Sequence, residues 1–329
     1  MEKRKNSMRM LSTLLNSQKK TGFDLRRYFF TGTHKTSGNN ASFFIEIYVC
    51  CGLSRSVTVR FGLQGAKGKA IEFAFPLSDL TLDGTRLEIR NGQILADETV
   101  LRGNLAGDGV FWDLSFATPT DWMDAKLGGL SWHTGETSPE FQGTVHIGDH
   151  SFSVNKDSPC ACVDHLWGSD LPAEWFFLYG TGLTSVISRE NLPNSFFLIR
   201  GLFPQGISLV AQVGEERRIF HPGRFSLGCK QHHNCVKTGD EIHWSVSIWG
   251  RDAIIDIDVI CAIEGIKMGI FRSPAENKQI DKLTGTVNTK RGDRAEIRML
   301  KPMEKTLEII EHALAEYTVC EYGLIEHSS

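Results

Sequence analysis

Phe43–Val49 reads FFIEIYV. Phe43, Ile45, Ile47 and Val49 fall on one side of an extended chain, and Phe44, Glu46 and Tyr48 on the other. A period of two predicts a strand rather than a helix. The same texture recurs on both sides: VTVRF from Val57, AIEFAF from Ala70, RLEIR from Arg86, VFWDLSF from Val110 and FQGTVHI from Phe141. LDGT, RNG, AGDG and IGDH separate these runs and supply positive φ cheaply. Such spacing predicts an antiparallel meander or barrel, not alternating βαβ units.

The second half has a similar length and style, without a clear internal repeat. Strands are expected at WFFLYG, SFFLIRG, SLVAQV, RRIFH, HWSVSIWG, AIIDIDVIC, LTGTVNT and AEIRML. One helix is expected over 302–317. Pro302 suits its first turn, Leu307, Ile310, Leu314 and Tyr317 form a stripe at spacings of three and four, and Gly323 lies past the end. Asn155–Cys162, NKDSPCAC, reads as a linker. The expected organisation is a basic flexible arm over 1–21, a first β-barrel over 22–155, and a second over 156–329 that ends in the helix.

The 329 residues carry a net charge of −3, so nothing global favours nucleic acid or an anionic membrane. Hydrophobic residues make up 41%, enough for a real core, and the abundant glycine and phenylalanine suit many short strands. In the basic N-terminus, the apolar patch from Met8 to Leu15 is too short and broken for a signal peptide core. No run of about twenty apolar residues suggests a spanning helix. The expectation is a cytoplasmic protein with reduced cysteines, which leaves open peripheral membrane contact through the basic arm.

Several chemistries find no motif. FGLQGAKGKA lacks phosphate-loop spacing, and there is neither G-x-S-x-G nor H-E-x-x-H. Cys229, His232, His233 and Cys235 in GCKQHHNC offer zinc-type ligands, but at a spacing that matches no standard zinc module, and they read as a polar hairpin loop with incidental histidines.

The richest stretch is Val163–Leu183, VDHLWGSDLPAEWFFLYGTGL. It sets an acid and an imidazole among large aromatics, as a pocket for a mostly apolar molecule requires. In a strand Asp164 and His165 point to opposite faces, with Leu166 beside Asp164. Asp164 walled by tryptophan would be a proton donor, with Trp167, Trp175 or Trp244 facing a carbocation. Alternatively, Asp164 and His165 satisfy backbone donors at a turn and the tryptophans are core. Trp132 and His133, and His243 and Trp244, pose the same choice of faces. Asp256 and Asp258 read as an outward, solvated pair.

DHLWG at Asp164–Gly168 resembles the D-H-x-W-G element of the hydroxyneurosporene synthase (carotenoid hydratase) family. The longer DHLWGSDLPAEWFFLYG is similar to the W-G…P…W-x-W element of tocopherol cyclases. LRRYFFTG at Leu25–Gly32 sits where these proteins carry E-G-W-Y-[FY]-K, with Arg26 and Arg27 in place of glutamate and glycine. Leu166 stands where asparagine is usual, and Trp175, Phe176 and Phe177 replace W-x-W. The resemblance spans most of residues 22–325. It implies two tandem lipocalin-like β-barrels and a lipophilic or polyketide-like ligand. It also implies cofactor-free cyclase, hydratase or isomerase chemistry on a polyene or isoprenoid. Asp164 and His165 would be the catalytic pair, with Arg27, Tyr28, Trp132, Trp167, Trp175, Tyr179 and Trp244 lining the substrate. An inward Arg26 or Arg27 would favour a carboxylate or enolate. Alternatives are a non-catalytic carrier of a lipid or hydrophobic metabolite, or a partner-binding protein.

Overall fold

The computed structural model describes residues 11–12, 15, 21–64, 70–83, 85–105, 107, 109–117, 122–127, 130–135, 139–155, 161–203, 206–220, 230–275, 278–288, 292–303 and 306–325. The chain divides after Leu171 into two compact units, and Arg272–Gln279 returns to the first. Both are antiparallel β.

In the first unit, fourteen strands form one nearly closed barrel sheet. Its organising strand is Gly22–His34, which pairs along its length with Asn40–Cys51. Its other edge pairs first with Cys162–Gly168 and then with His150–Val154. Leu130–Gly135 continues the sheet beyond Cys162–Gly168, and Trp122–Leu127 beyond that. The core holds Phe30, Phe43, Phe61, Trp112, Phe116 and Phe141, with Ile45, Ile47 and Val49 from the Asn40–Cys51 strand. Leu11, from the segment expected to be a flexible arm, is fully buried in this core. Close packing depends on glycine in places: a Cβ on Gly103 would lie 2.0 Å from the Trp112 ring opposite it.

The second unit is an eleven-stranded sheet around its own core of Phe176, Leu178, Phe197, Trp244, Ile257 and neighbours. It is not closed into a barrel, contrary to the expectation of two barrels. Its main path runs from Glu216–Phe220 at one end to Lys230–Thr238 at the other. Near the ends, the Gln231 side chain exchanges hydrogen bonds with the Ile207 backbone, accepting its N–H at 2.9 Å and donating to its carbonyl at 3.3 Å.

The expected C-terminal helix is also overturned. Among the described residues no helix reaches seven residues, and Leu307–Ile325 is a nineteen-residue strand. It pairs with Glu174–Ser185, Gln279–Asn288 and Arg294–Pro302. A β-bulge produced the helical spacing: Leu300 faces Ile309 and Met299 faces Glu311, so Ile310 is the extra residue that shifts the phase. Leu307 is exposed, Ile310 and Leu314 are half-buried, and Tyr317 is buried, so the stripe is not one face. Past the bulge, Ala313, Ala315 and Tyr317 are buried at strict period two. No helix among the described residues is long and apolar enough to cross a membrane.

Proline in an internal strand removes a ladder hydrogen bond and clashes with its neighbour. Val319 is fully buried, between Tyr179 and Thr286. Val319→Pro should therefore lower the unfolding free energy by about 3 kcal/mol or more in urea titration. An unchanged midpoint would remove this segment from the sheet.

Candidate functional site

Alternation along Gly22–His34 sorts its side chains into two sets. Tyr28 and Phe30 belong to the barrel core, so Asp24 and Arg26 share the inner face. Directly opposed residues on paired strands point the same way. One inward row therefore crosses five strands: Ile47, Arg26, His165, His133 and Asp124. A second row opposes Asp24 to Trp167 and Ser131.

These side chains form a connected cluster. His165 Nε2 lies 2.7 Å from Asp24 Oδ2, and Arg26 Nε donates to Asp24 Oδ1 at 3.1 Å. His133 Nδ1 lies 3.2 Å from Asp124 Oδ1. The Trp167 ring sits between the two imidazoles, 4.4 Å from His133 and 4.6 Å from His165 between centroids. Two His–Asp pairs thus flank one indole. His133, His165 and Trp167 each retain 6–9% exposure, whereas Asp24 is completely buried. Burial alone would raise the Asp24 pKa, but the charges of His165 and Arg26 and the hydrogen bonds from both outweigh it. The carboxyl is held down at about 2. Arg26 is pushed upward, because the charges and hydrogen bonds of Asp24 and Tyr28 outweigh a burial effect that acts in the opposite direction. Tyr28 also meets Phe116 edge-on at 5.9 Å, where the polar cluster gives way to the aromatic core.

Asp164 lies on the opposite face, completely buried, in the row Glu46, Arg27, Asp164, Thr134. Arg27 Nε donates to Asp164 Oδ2 at 2.8 Å, and the Arg27 Nη2 group joins the same oxygen. Oδ1 accepts from Trp132 Nε1 at 2.8 Å and from Thr134 Oγ1 at 2.5 Å. The Arg27 guanidinium also lies 5.3 Å from the Trp132 ring centroid. Four donors occupy this carboxylate, two from the guanidinium on one oxygen and the Trp132 and Thr134 side chains on the other, and together they fix its orientation.

The structure thus brings His165, Trp167 and Tyr28 together and sets Asp164, Arg27 and Trp132 apart from them. In the second unit, Trp175 Nε1 donates to Glu321 Oε1 at 2.8 Å, with Lys282 on the other oxygen at 2.7 Å. Tyr179 is buried on the Trp175 face, with Phe196 at 6.4 Å. Trp244 points into the core and His243 away from it, beside Glu241. Asp256 and Asp258 point away from the core, held by Ser247 and Arg298. His233 and Cys235 share the inner face, while His232 points the other way and Cys229 lies outside the described residues. Among the described residues, no three His, Cys, Asp or Glu side chains gather as a metal would require. Asp24 and Asp124 escaped the sequence reading. Asp24 was within reach of it, since extending the period of two back through LRRYFF places Asp24, Arg26 and Tyr28 together.

No family model and no curated protein sequence matches the chain. Among solved structures, a protein assigned to AttH in Nitrosomonas europaea is similar over 91% of this chain and 92% of its own. The identity is 9% and the TM-score 0.48. A protein of unknown function from the DUF3598 family of Nostoc punctiforme aligns over 95% of this chain and 98% of its own, at 10% identity and a TM-score of 0.14.

The Asp24 carboxyl is depressed from its ordinary 3.8 to about 2 in the folded state. Its linkage contribution, ~2 kcal/mol, is therefore complete above about pH 4 and disappears as pH falls towards 2. The urea-midpoint difference between the wild type and Asp24→Asn should shrink across that window. A difference that stays constant from pH 5 to pH 2 would rule this out. Asp164→Asn removes the charge of a fully buried ion pair to which Arg27, Trp132 and Thr134 all donate, and should cost about 3–5 kcal/mol in the same assay.

Proposed function

We propose that the chain holds a lipophilic small molecule inside the first sheet, its apolar body against the aromatic core and its reacting end at His165 and Trp167. The flanking of Trp167 by two His–Asp pairs, at the boundary with an aromatic interior, carries this reading. A polar pair at the edge of an apolar interior suits the orientation of an amphipathic ligand. An imidazole fixed by a carboxylate is a natural proton carrier.

The reaction is cofactor-free cyclisation, hydration or isomerisation of a polyene, isoprenoid or polyketide-like substrate. Asp24 orients the ring through Nε2, and the imidazole exchanges a proton with the ligand. The π electrons of an alkene take that proton to form a C–H bond. The carbocation left behind is stabilised by the face of Trp167. An internal hydroxyl or a water then adds to the cation, and the proton it releases returns to the imidazole. In this assignment His165 carries the chemistry. Asp164, with its four donors, fixes the strand that bears it.

A carrier is the second reading. The charges of the cluster are compensated among Asp24, Arg26 and His165, an arrangement that suits holding a head group as well as transforming it.

Native mass spectrometry with solvent extraction of protein from its own host should find a stoichiometric apolar molecule. With that molecule as substrate, His165→Gln should retain binding and lose about 100-fold or more in turnover. Binding without turnover in the wild type would leave the carrier. A chain that is empty and also refuses fatty acids, isoprenoids and polyketides would refute both.

A further inference from the structure

The inner face of the second sheet carries a polar cluster of its own, which the proposed function does not use. Glu174 lies on the same face as the core residues Phe176 and Leu178. Tyr322, opposite Phe176, donates its hydroxyl to Glu174 Oε1 at 3.1 Å. His233 Nε2 approaches the same oxygen at 3.6 Å. The His233 ring stacks on Phe203 at 3.7 Å, and Phe176 lies 5.4 Å from it in a nearly parallel plane. Cys235 follows on the inner face, and Trp244 is directly opposite it.

The charge at this cluster is uncompensated. Burial lowers the His233 pKa and outweighs the opposing pull of Glu174, which favours a neutral imidazole. Burial drives the Cys235 thiol up to about 12, so it stays protonated. Burial and the Glu174 charge raise the Tyr322 phenol, which remains a donor. Among the described residues no Lys or Arg pairs with Glu174. A single carboxylate therefore sits among aromatic rings, about 30% exposed and without a cation.

A second, independent observation lies deeper. Trp244 is 1% exposed, and its Nε1–H has no hydrogen-bond partner. An orphaned buried donor is unfavourable, and an oxygen acceptor placed there would recover that cost.

We propose that the interior of the second sheet is a separate binding site for a lipophilic ammonium: an amine on an apolar body that also bears an oxygen acceptor. Glu174 takes the ammonium, with the surrounding rings offering π-faces to the charge. The apolar body runs inward past Cys235, and Trp244 Nε1 donates to the oxygen. A carboxylate head is excluded at this rim by Glu174 itself.

The test is calorimetric titration of the full chain with dodecanoyl-ethylenediamine, which has one free amine and one amide. Dodecanoic acid serves as the matched anion. Glu174→Gln, isosteric and partly exposed, should weaken the amine at least tenfold and should not weaken the acid. Trp244→Phe should weaken the amine several-fold. His165→Gln, in the other sheet, should leave the amine unchanged. Wild-type protein that does not bind the amine overturns the proposal. So does Glu174→Gln that binds it as tightly as wild type, or amine binding that depends on His165.

Discussion

The buried Arg27–Asp164 ion pair sets the register on which the first unit depends. Strand pairing has a period of two, so a slip of one residue exchanges every inward side chain for its outward neighbour. Such a slip of Cys162–Gly168 would turn Asp164 into the core and His165 out of it. Two facing charges that satisfy one another on the opposite face make that slip costly, since each would be buried without its partner. Trp132 and Thr134 extend the constraint to the next strand, because their hydrogen bonds to Asp164 hold Leu130–Gly135 in the phase that turns His133 inward. The reactive-looking acid of DHLWG thus positions its neighbour.

The second unit uses a comparable device with different residues. Glu321 receives the Trp175 indole and the Lys282 ammonium, and, like Asp164, it points away from its own core. In both units an indole N–H and a cation saturate a buried carboxylate on the non-core face. The inner faces then differ in character. The first holds two His–Asp pairs around an indole; the second holds a lone carboxylate ringed by aromatics. Similar scaffolding presents different chemistry because alternation lets the two faces of a strand vary independently.

Much of the architecture was legible in the sequence. Phe43–Val49, Val110–Phe116 and Ile254–Ala262 show clean alternation, and each is a strand. The opposition of Asp164 and His165 also followed from adjacency. The terminal strand did not, because the bulge at Ile310 inserts one residue and makes a broken period of two imitate a period of 3.6. Closure of the second sheet was equally out of reach, since it depends on whether distant edges meet and no local pattern records that.

What the sequence determined by itself was local: all-β class, the strands, their turns and the pairs of residues that must part company across a sheet. These follow from steric alternation and turn chemistry within a few residues. The tertiary structure decided which face of each strand is the interior, and so whether Asp164 or His165 enters it. It also brought Asp24, Asp124, His133 and His165 together from four strands around Trp167, and Glu174, Tyr322 and His233 from three. Register between strands far apart in sequence is a collective outcome of packing and of buried charge pairs. No single stretch of the chain contains it.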